Sequence, residues 1–363
     1  MRGGRREGLR QLEASLLREG YLRLPFPEAG GELELAATAV YDAAAAFLRS
    51  PAEERRQHEH EAASSRATLG FTYLPMGAEP LYDGTSEQRV HSLSIHSALS
   101  EAECDALLPR GMDGEARALA HSYHRWPDDE GLAPLRRETM RLRRLLLEQV
   151  CEPLLASLSA LLGLGEGGLK RRCCMRGSDN TSLLRLMEYP PAAEGEMVEG
   201  PVVGVSEHTD YELLSVLHQD REGLEVRNRS GEWVLLPHDD RMLTVLIGDM
   251  TERLSAGYFT ATPHRVRATP AGKPPRCSFV FFLALDEDER VCGLSSSAVR
   301  GADAAPFSRW LESLPDKERR KVLLPITQRE WTESKDAAAL AALRDKVERS
   351  SRANRSFINI SQS

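Results

Sequence analysis

The side chains with the most chemical reach lie in two short stretches of the C-terminal half. Glu207-His208-Thr209-Asp210-Tyr211 places an imidazole and a carboxylate two residues apart. On a strand, residues i and i+2 share one face, so His208 and Asp210 point the same way. His264, in Thr262-Pro263-His264-Arg265-Val266, supplies a second imidazole 56 residues further on. Two imidazoles and one carboxylate on one face of an octahedral metal leave three positions open. That donor set suits an Fe(II) ion that must hold O2 and a cosubstrate together. An HxD pair alone is equally compatible with a surface loop, so its company matters. Arg276-Cys277-Ser278 follows His264 by twelve residues and opens an apolar strand. Arg276 and Ser278 again share a face, and a guanidinium beside a hydroxyl suits a carboxylate. An unpaired buried Arg is costly, so an Arg inside a strand implies an anionic partner.

These residues need a β scaffold, and the chain supplies one after Lys170. Short β-type runs alternate with turn residues at Leu183–Tyr189, Val202–Glu207, Leu213–His218, Leu224–Arg227, Trp233–Leu236, Leu243–Ile247, Thr262–Ala268 and Ser278–Leu285. Eight strands at this spacing predict a sandwich, barrel or jelly roll. Arg185, Met187 and Tyr189 share one face of the first of them. Before Lys170 the texture is helical. Gly20–Leu24 reads as a short strand and Gly30–Leu48 as an Ala-rich helix. Ser50-Pro51-Ala52-Glu53 reads as a helix start, with Ser50 as N-cap and Pro51 at the first helical position. Ala62–Ser65 and Gly70–Gly84 read as loop with short extended pieces. Leu135–Leu162 carries Leu at three-to-four spacing, with Pro153 expected to kink or split the helix and the glycines from Gly163 to end it. From Phe307 the pattern is helical again, and Lys335–Ser350 is a charged amphipathic helix. The expected division is an α-rich region over 1–168, a β core over 169–290 and a helical tail over 291–363.

Composition bounds the function. The 363 residues include 41% hydrophobic and 28% charged, enough for a sizeable core, and the net charge is −8. An acidic balance argues against a nucleic-acid or anionic-membrane binder. No apolar run reaches the length of a membrane span. Met1–Arg10 lacks the apolar stretch of a secretory signal, and Ser361-Gln362-Ser363 matches no retention or peroxisomal address. Six Cys without a CxxC point to a reduced, cytoplasmic protein. Oligomeric state is not legible.

The sequence resembles the isopenicillin-N-synthase-like branch of the Fe(II)/2-oxoglutarate-dependent oxygenases. The matching stretches are Leu184–Pro190, His208–Ser215, Gly223–Val226 with Trp233 and Pro237, Ile247–Met250, Pro263–Val266 and Arg276–Phe279. They follow the family order at near-family spacing, strongly over Leu183–Leu285 and more weakly before it. The resemblance implies an α+β chain with a double-stranded β-helix, or jelly roll. It implies Fe(II) held by His208, Asp210 and His264, with O2 as oxidant. It implies 2-oxoglutarate as cosubstrate, its far carboxylate meeting Arg276 and Ser278 with a hydrogen bond from Tyr189. The activity implied is hydroxylation, desaturation or cyclisation of a small molecule, with release of succinate and CO2. Two features depart from the family: Met187 stands where Asn is frequent, and the segment from His264 to Arg276 is slightly long, with Pro270, Gly272, Pro274 and Pro275. Both bear on the cosubstrate end, so an oxidase that does not consume 2-oxoglutarate, of the isopenicillin N synthase or aminocyclopropane-carboxylate oxidase type, stays open, as does a binding protein without turnover. A nucleic-acid demethylase is disfavoured by the acidic charge.

Arg185 has two readings: a contact to an anionic group of the substrate, or an ion pair with an internal Glu or Asp. Other groups read as structural. His218 is expected in the core or at its rim, and neither it nor His238 fits the ligand spacing. His91 and His96 fall in a segment that the resemblance brings near the mouth of the site, with surface as the favoured reading, and His58, His60, His121 and His124 read as surface. Lys170-Arg171-Arg172 reads as a solvated turn, Asp249 as a carboxylate satisfying turn amides, and Cys173, Cys174 and Cys277 as packing residues.

Overall fold

The computed structural model describes residues 2–59, 70–78, 87–96, 102, 105–106, 111, 114–122, 126–127, 129–173, 182–192, 202–291, 325–338 and 341. The N-terminal half contributes helices α1 (Arg2–Arg18), α2 (Glu32–Leu48), α3 (Ala52–Arg56), α4 (Gly114–Ser122), α5 (Ala133–Leu146) and α6 (Glu152–Leu161). It also contributes strands β1 (Tyr21–Pro25), β2 (Phe71–Leu74), β3 (Glu87–Gln88) and β4 (His91–Ile95). The C-terminal half begins with β5 (Leu183–Tyr189), β6 (Val202–His208), β7 (Leu214–Gln219), β8 (Leu224–Arg227), β9 (Trp233–Leu235) and β10 (Met242–Ile247). It continues with α7 (Asp249–Leu254), β11 (His264–Arg267), β12 (Arg276–Leu283), β13 (Arg290–Val291), β14 (Ile326–Thr327) and a helix α8 over 328–338.

Each of the eight expected strands is present, two with the expected ends and the rest within two residues. They form two sheets. The larger has the order β1-β10-β7-β12-β5-β4-β2 and the smaller β3-β6-β11-β8-β9. All neighbours are antiparallel except β3 and β6. The alternation of the large sheet assigns its two faces. Leu184, Leu186, Phe279, Phe281, Leu283, Leu243 and Val245 pack with the helices: Ala36, Val40, Leu142 and Leu146 belong to the same core. Met187, Tyr189, Leu217, Leu246 and Val280 form a second core with Leu224, Val226 and Val266 of the small sheet. The catalytic candidates lie on this second, inter-sheet face.

Two local expectations change. The helix of Ala52–Arg56 has Pro51 as its N-cap, and no side chain caps it. Pro51 is extended, at φ −51° and ψ 140°, so the helix starts after the proline and Ser50 lies outside capping reach. The long leucine-rich helix is split, as expected, but by a π-helical turn at Leu147–Cys151 placed just before Pro153. A wider turn rearranges the ladder where the proline offers no N–H. Cys174, His60, His124, Ala62–Ser65, most of the tail over 291–363 and the part of Lys335–Ser350 beyond 341 lie outside the described residues.

Candidate active site

β6 ends at His208 and β11 begins at His264, and the antiparallel register sets these two residues directly opposite each other. One residue later in β6 than a regular ladder would give, a bulge separates this pair from Val205–Val266. The two imidazole centroids are 4.2 Å apart. Asp210 follows in the loop, and Nε2 of each histidine lies 3.5 Å from its Oδ1. One donor atom from each of His208, Asp210 and His264 falls within 4.8 Å of the others.

Each donor is oriented by the chain itself. His208 Nδ1 is 2.9 Å from the Ser206 carbonyl, and His264 Nδ1 is 3.0 Å from the Thr262 carbonyl. A carbonyl only accepts, so both Nδ1 atoms carry the proton and both Nε2 lone pairs face the shared centre. Ser215 Oγ donates to Asp210 Oδ2 at 2.5 Å, which turns Oδ1 towards the histidines. Burial alone would raise the Asp210 pKa, but His264, His208 and Ser215 outweigh it and hold the carboxyl at about 2. Burial lowers His264 to about 4. The buried site therefore offers a neutral imidazole and a carboxylate near pH 7, the protonation states a divalent cation requires.

The loop carrying Asp210 is suspended from the N-terminal end of α7. Asp249 N–H donates to the Asp210 carbonyl at 2.8 Å, Met250 N–H to Glu212 and Gly248 N–H to Leu213. Thr251 Oγ1 adds a bond of 2.6 Å to the Leu213 carbonyl. The Asp249 carboxylate accepts from Trp331 Nε1 and pairs with Lys335, each at 3.0 Å. Asp249 is structural as expected, but its carboxylate serves α8 rather than turn amides.

The second expected group is assembled on β12 and β5. Arg276 pairs with Tyr189 and Ser278 with Met187, so all four alternate onto the inner face. The Arg276 guanidinium lies 4.6 Å over the Tyr189 ring. Ser278 Oγ donates to Tyr189 Oη at 3.4 Å, and Tyr189 Oη donates to Met187 Sδ at 3.3 Å. Arg276 Nε donates to the Arg221 carbonyl at 3.1 Å, and Nη2 to Gln219 Oε1 at 2.7 Å. Among the described residues, Nη1 is buried without a partner. A buried guanidinium with Nη1 unfilled, beside a hydroxyl and a phenol, fits an incoming carboxylate. Gly223 makes room for it: a Cβ there would stand 2.8 Å from Arg276 Nε.

These groups line one cavity of ≈ 1030 Å³, counted with the solvent in its mouth. Leu217, Leu224, Val266 and Val280 supply apolar wall between the two polar groups. Arg185 also lines it, with Nε donating to Ser94 Oγ at 3.1 Å. Glu212 is on the same wall, its carboxyl pushed up to about 8 by burial and by Asp210, against the opposing charge of Arg185. Asp336 of α8 is raised to about 6 by burial, again opposed by Arg185.

Gln219, Ser215 and Glu212 were not singled out from sequence. Gln219 becomes identifiable only from the pairing that sets it opposite Ser278. His218 is buried at the rim, between Tyr41 Oη (2.9 Å from Nδ1) and the Asp240 carbonyl (2.9 Å from Nε2). His238 stands apart from the ligand set and pairs with Asp240 at 2.8 Å. His96 is buried rather than exposed, and His58 packs on Phe47 and Phe71. Aromatic packing, not the local polarity of the segment, decides the position of His58. His91 is half-buried and bonds Tyr73 Oη at 2.9 Å. His121 is half-buried against Asp105 at 2.8 Å. Lys170 and Arg171 are exposed in a turn, and Cys173 is buried.

Comparison with known proteins agrees with this geometry. Residues 180–285 match the model of the 2OG-Fe(II) oxygenase superfamily. A 2-oxoglutarate-dependent dioxygenase, citB of Monascus ruber, is 35% identical over 116 residues, 31% of this chain and 35% of that protein. Homoarginine-6-hydroxylase 2-ODD-C23 of Glycine max is 28% identical over 220 residues, 59% of this chain and 63% of that protein. The chain thus spans about a third of the first relative and under two thirds of the second. Among solved structures, a full-length Neurospora crassa protein in complex with alpha-KG and thymine superposes with a TM-score of 0.64 at 17% identity, covering 91% of this chain and 92% of that one. A 2OG-Fe(II) oxygenase family protein of Caulobacter crescentus gives 0.63 at 22% identity, covering 90% and 92%. At these identities the likeness shows the fold.

Proposed function

Because residues 180–285 match the model of the 2OG-Fe(II) oxygenase superfamily, we propose that the chain is an Fe(II)- and 2-oxoglutarate-dependent dioxygenase acting on a small molecule. The observation that carries this reading is one cavity holding two complementary groups: a His/Asp/His set with its lone pairs converging, and a buried Arg with an unfilled donor. His208, Asp210 and His264 would hold the metal, and Arg276, Ser278 and Tyr189 the far carboxylate of 2-oxoglutarate. Bound Fe(II) and cosubstrate would supply oxidation of a substrate C–H bond by O2, with release of succinate and CO2.

The chain's own contribution is positioning. Ser206 and Thr262 carbonyls keep both imidazoles in the coordinating tautomer, and Ser215 holds the carboxylate. Leu217, Leu224, Val266 and Val280 exclude water between metal and anchor. Arg185 faces the cavity and would receive an anionic group of the primary substrate. On this reading the two facing sheets form a double-stranded β-helix over 169–290, with 1–168 packed on its outer face and 291–363 as a helical tail. Six Cys without a CxxC fit a cytoplasmic setting. Among the described residues, no helix is long and apolar enough to cross a membrane.

The test is anaerobic addition of Fe(II) and then 2-oxoglutarate to the metal-free protein. A weak visible charge-transfer band on adding 2-oxoglutarate, and succinate formation on admitting air, are the expected results. Iron binding with neither band nor succinate would move the chain to the 2-oxoglutarate-independent oxidases. No iron binding would leave a binding protein.

A further inference from the structure

The Asp210 loop is fixed from outside the two sheets. Its carbonyls at Asp210, Glu212 and Leu213 are taken by the amides of Asp249, Met250 and Gly248. Those amides begin a helix of six residues, too short to hold its own orientation. Met250 and Leu254 anchor it in the core, and the half-buried helix α8, about 80 residues further along the chain, holds its first residue. Trp331 Nε1 donates to Asp249 Oδ2 at 3.0 Å, and Lys335 Nζ reaches the same oxygen at 3.0 Å. Two cations lie over the Trp331 ring, the Arg253 guanidinium at 5.0 Å and Lys335 Nζ at 5.1 Å from its centroid. α8 grips the loop a second time, next to the metal-site aspartate: Lys335 Nζ lies 5.3 Å over the Tyr211 ring, and Gln328 Nε2 is 3.5 Å from the Tyr211 carbonyl.

One unbroken set of contacts therefore runs from α8 to the candidate metal ligand: Trp331 and Lys335 hold the Asp249 carboxylate, and the Asp249 amide holds the Asp210 carbonyl. We propose that Asp249, clamped by Trp331 and Lys335, is a positioning residue that sets the angle at which Asp210 presents its carboxylate to the metal. The inference rests on the metal reading of His208, Asp210 and His264. It makes α8 part of the metal site, although α8 offers no ligand. The physical reason is that a carboxylate held on one side by Ser215 can still swing with its backbone, and the Asp249 amide restrains that swing at the Asp210 carbonyl. Groups that orient ligands from outside typically change metal affinity 10- to 100-fold when removed.

The experiment uses the full chain with Co(II) in place of iron, since bound Co(II) reports its geometry in visible absorption without turnover. Trp331→Phe removes one donor while keeping the ring, and Lys335→Met removes the other. Each is expected to weaken Co(II) binding about three- to tenfold and to shift the visible band, and the double variant to lose about tenfold or more. Ala338→Ser, on the exposed side of α8, should change neither quantity. Lower thermal stability with Co(II) affinity and spectrum unchanged would overturn the proposal and leave α8 a purely structural cover. Should the double variant fail to fold, the two single variants decide the matter by the same readouts. Failure of the unsubstituted chain to bind Co(II) or Fe(II) would overturn the metal reading itself, a different result from an intact site that ignores α8.

Discussion

Replacing Arg276 by Met tests the cosubstrate site with a magnitude that the structure sets. Two of the guanidinium's donors are already used in the free protein, Nε by the Arg221 carbonyl and Nη2 by Gln219. Those bonds exist before and after ligand binding, so they cancel from the comparison. The ligand gains Nη1, which is buried and otherwise unfilled, together with the positive charge at a site only 4% exposed. A hydrogen bond to a charged group contributes about 1.5–3 kcal/mol, and truncating one member of a buried charged pair costs about 2–5 kcal/mol. The overlap, about 2–3 kcal/mol, corresponds to roughly 30- to 160-fold weaker 2-oxoglutarate binding. Arg276→Lys should fall between, since the charge remains but the planar fork is lost. The assay is anaerobic titration of the Fe(II)-loaded protein with 2-oxoglutarate, read in the visible. Iron affinity should be unchanged, because Arg276 is no ligand. Binding of 2-oxoglutarate within about threefold of the unsubstituted protein would refute the reasoning.

The same geometry carries three further expectations. Gly248→Ala should cost about 1–3 kcal/mol and weaken metal binding, because its Cβ would fall 2.2 Å from the Glu212 carbonyl oxygen, which belongs to the suspended loop; melting temperature and Co(II) affinity check it. Metal-free stability should fall as pH drops from 6.5 towards 4, since burial keeps His264 neutral down to about 4 while the unfolded chain takes the proton at 6.5. That decline is roughly 3 kcal/mol, and Asp210, held at about 2 against 3.8, continues it in the same direction below pH 4. Urea midpoints at pH 7, 5.5 and 4.5 measure it, and a flat profile would contradict the burial of a neutral His264. Tyr41→Phe should cost about 1–2 kcal/mol by leaving His218 Nδ1 without a donor in an apolar setting, while metal affinity stays unchanged; calorimetry with and without Co(II) separates the two.

What was legible in the sequence is what local chemistry dictates. The period of two along Leu183–Tyr189 and Arg276–Leu283 assigns Tyr189, Arg185, Arg276 and Ser278 to one face before any sheet is known. His208 and Asp210 are close because they are two residues apart. Phe71–Leu74 and His91–Ile95 alternate apolar and polar residues in sequence, but they are short and buried on both faces, and only the packing shows them to be extensions of the large sheet. His96 and His58 carry polar side chains in polar neighbourhoods, and only the packing around them shows that they are covered.

Sequence by itself determined the chemical inventory of the site: two imidazoles, a carboxylate, a guanidinium and a hydroxyl, each on a strand or beside one. Tertiary structure alone decided how these groups are held. The His208–His264 pairing joins residues 56 apart, and it depends on the register of β6 against β11. The open Nη1 of Arg276 depends on Arg221 and Gln219 having engaged Nε and Nη2, and the Asp249–Trp331 bond spans 82 residues. Hydrogen bonds between distant segments leave no periodic signal in a chain, because they follow from where whole elements pack and not from the spacing of residues along any one of them.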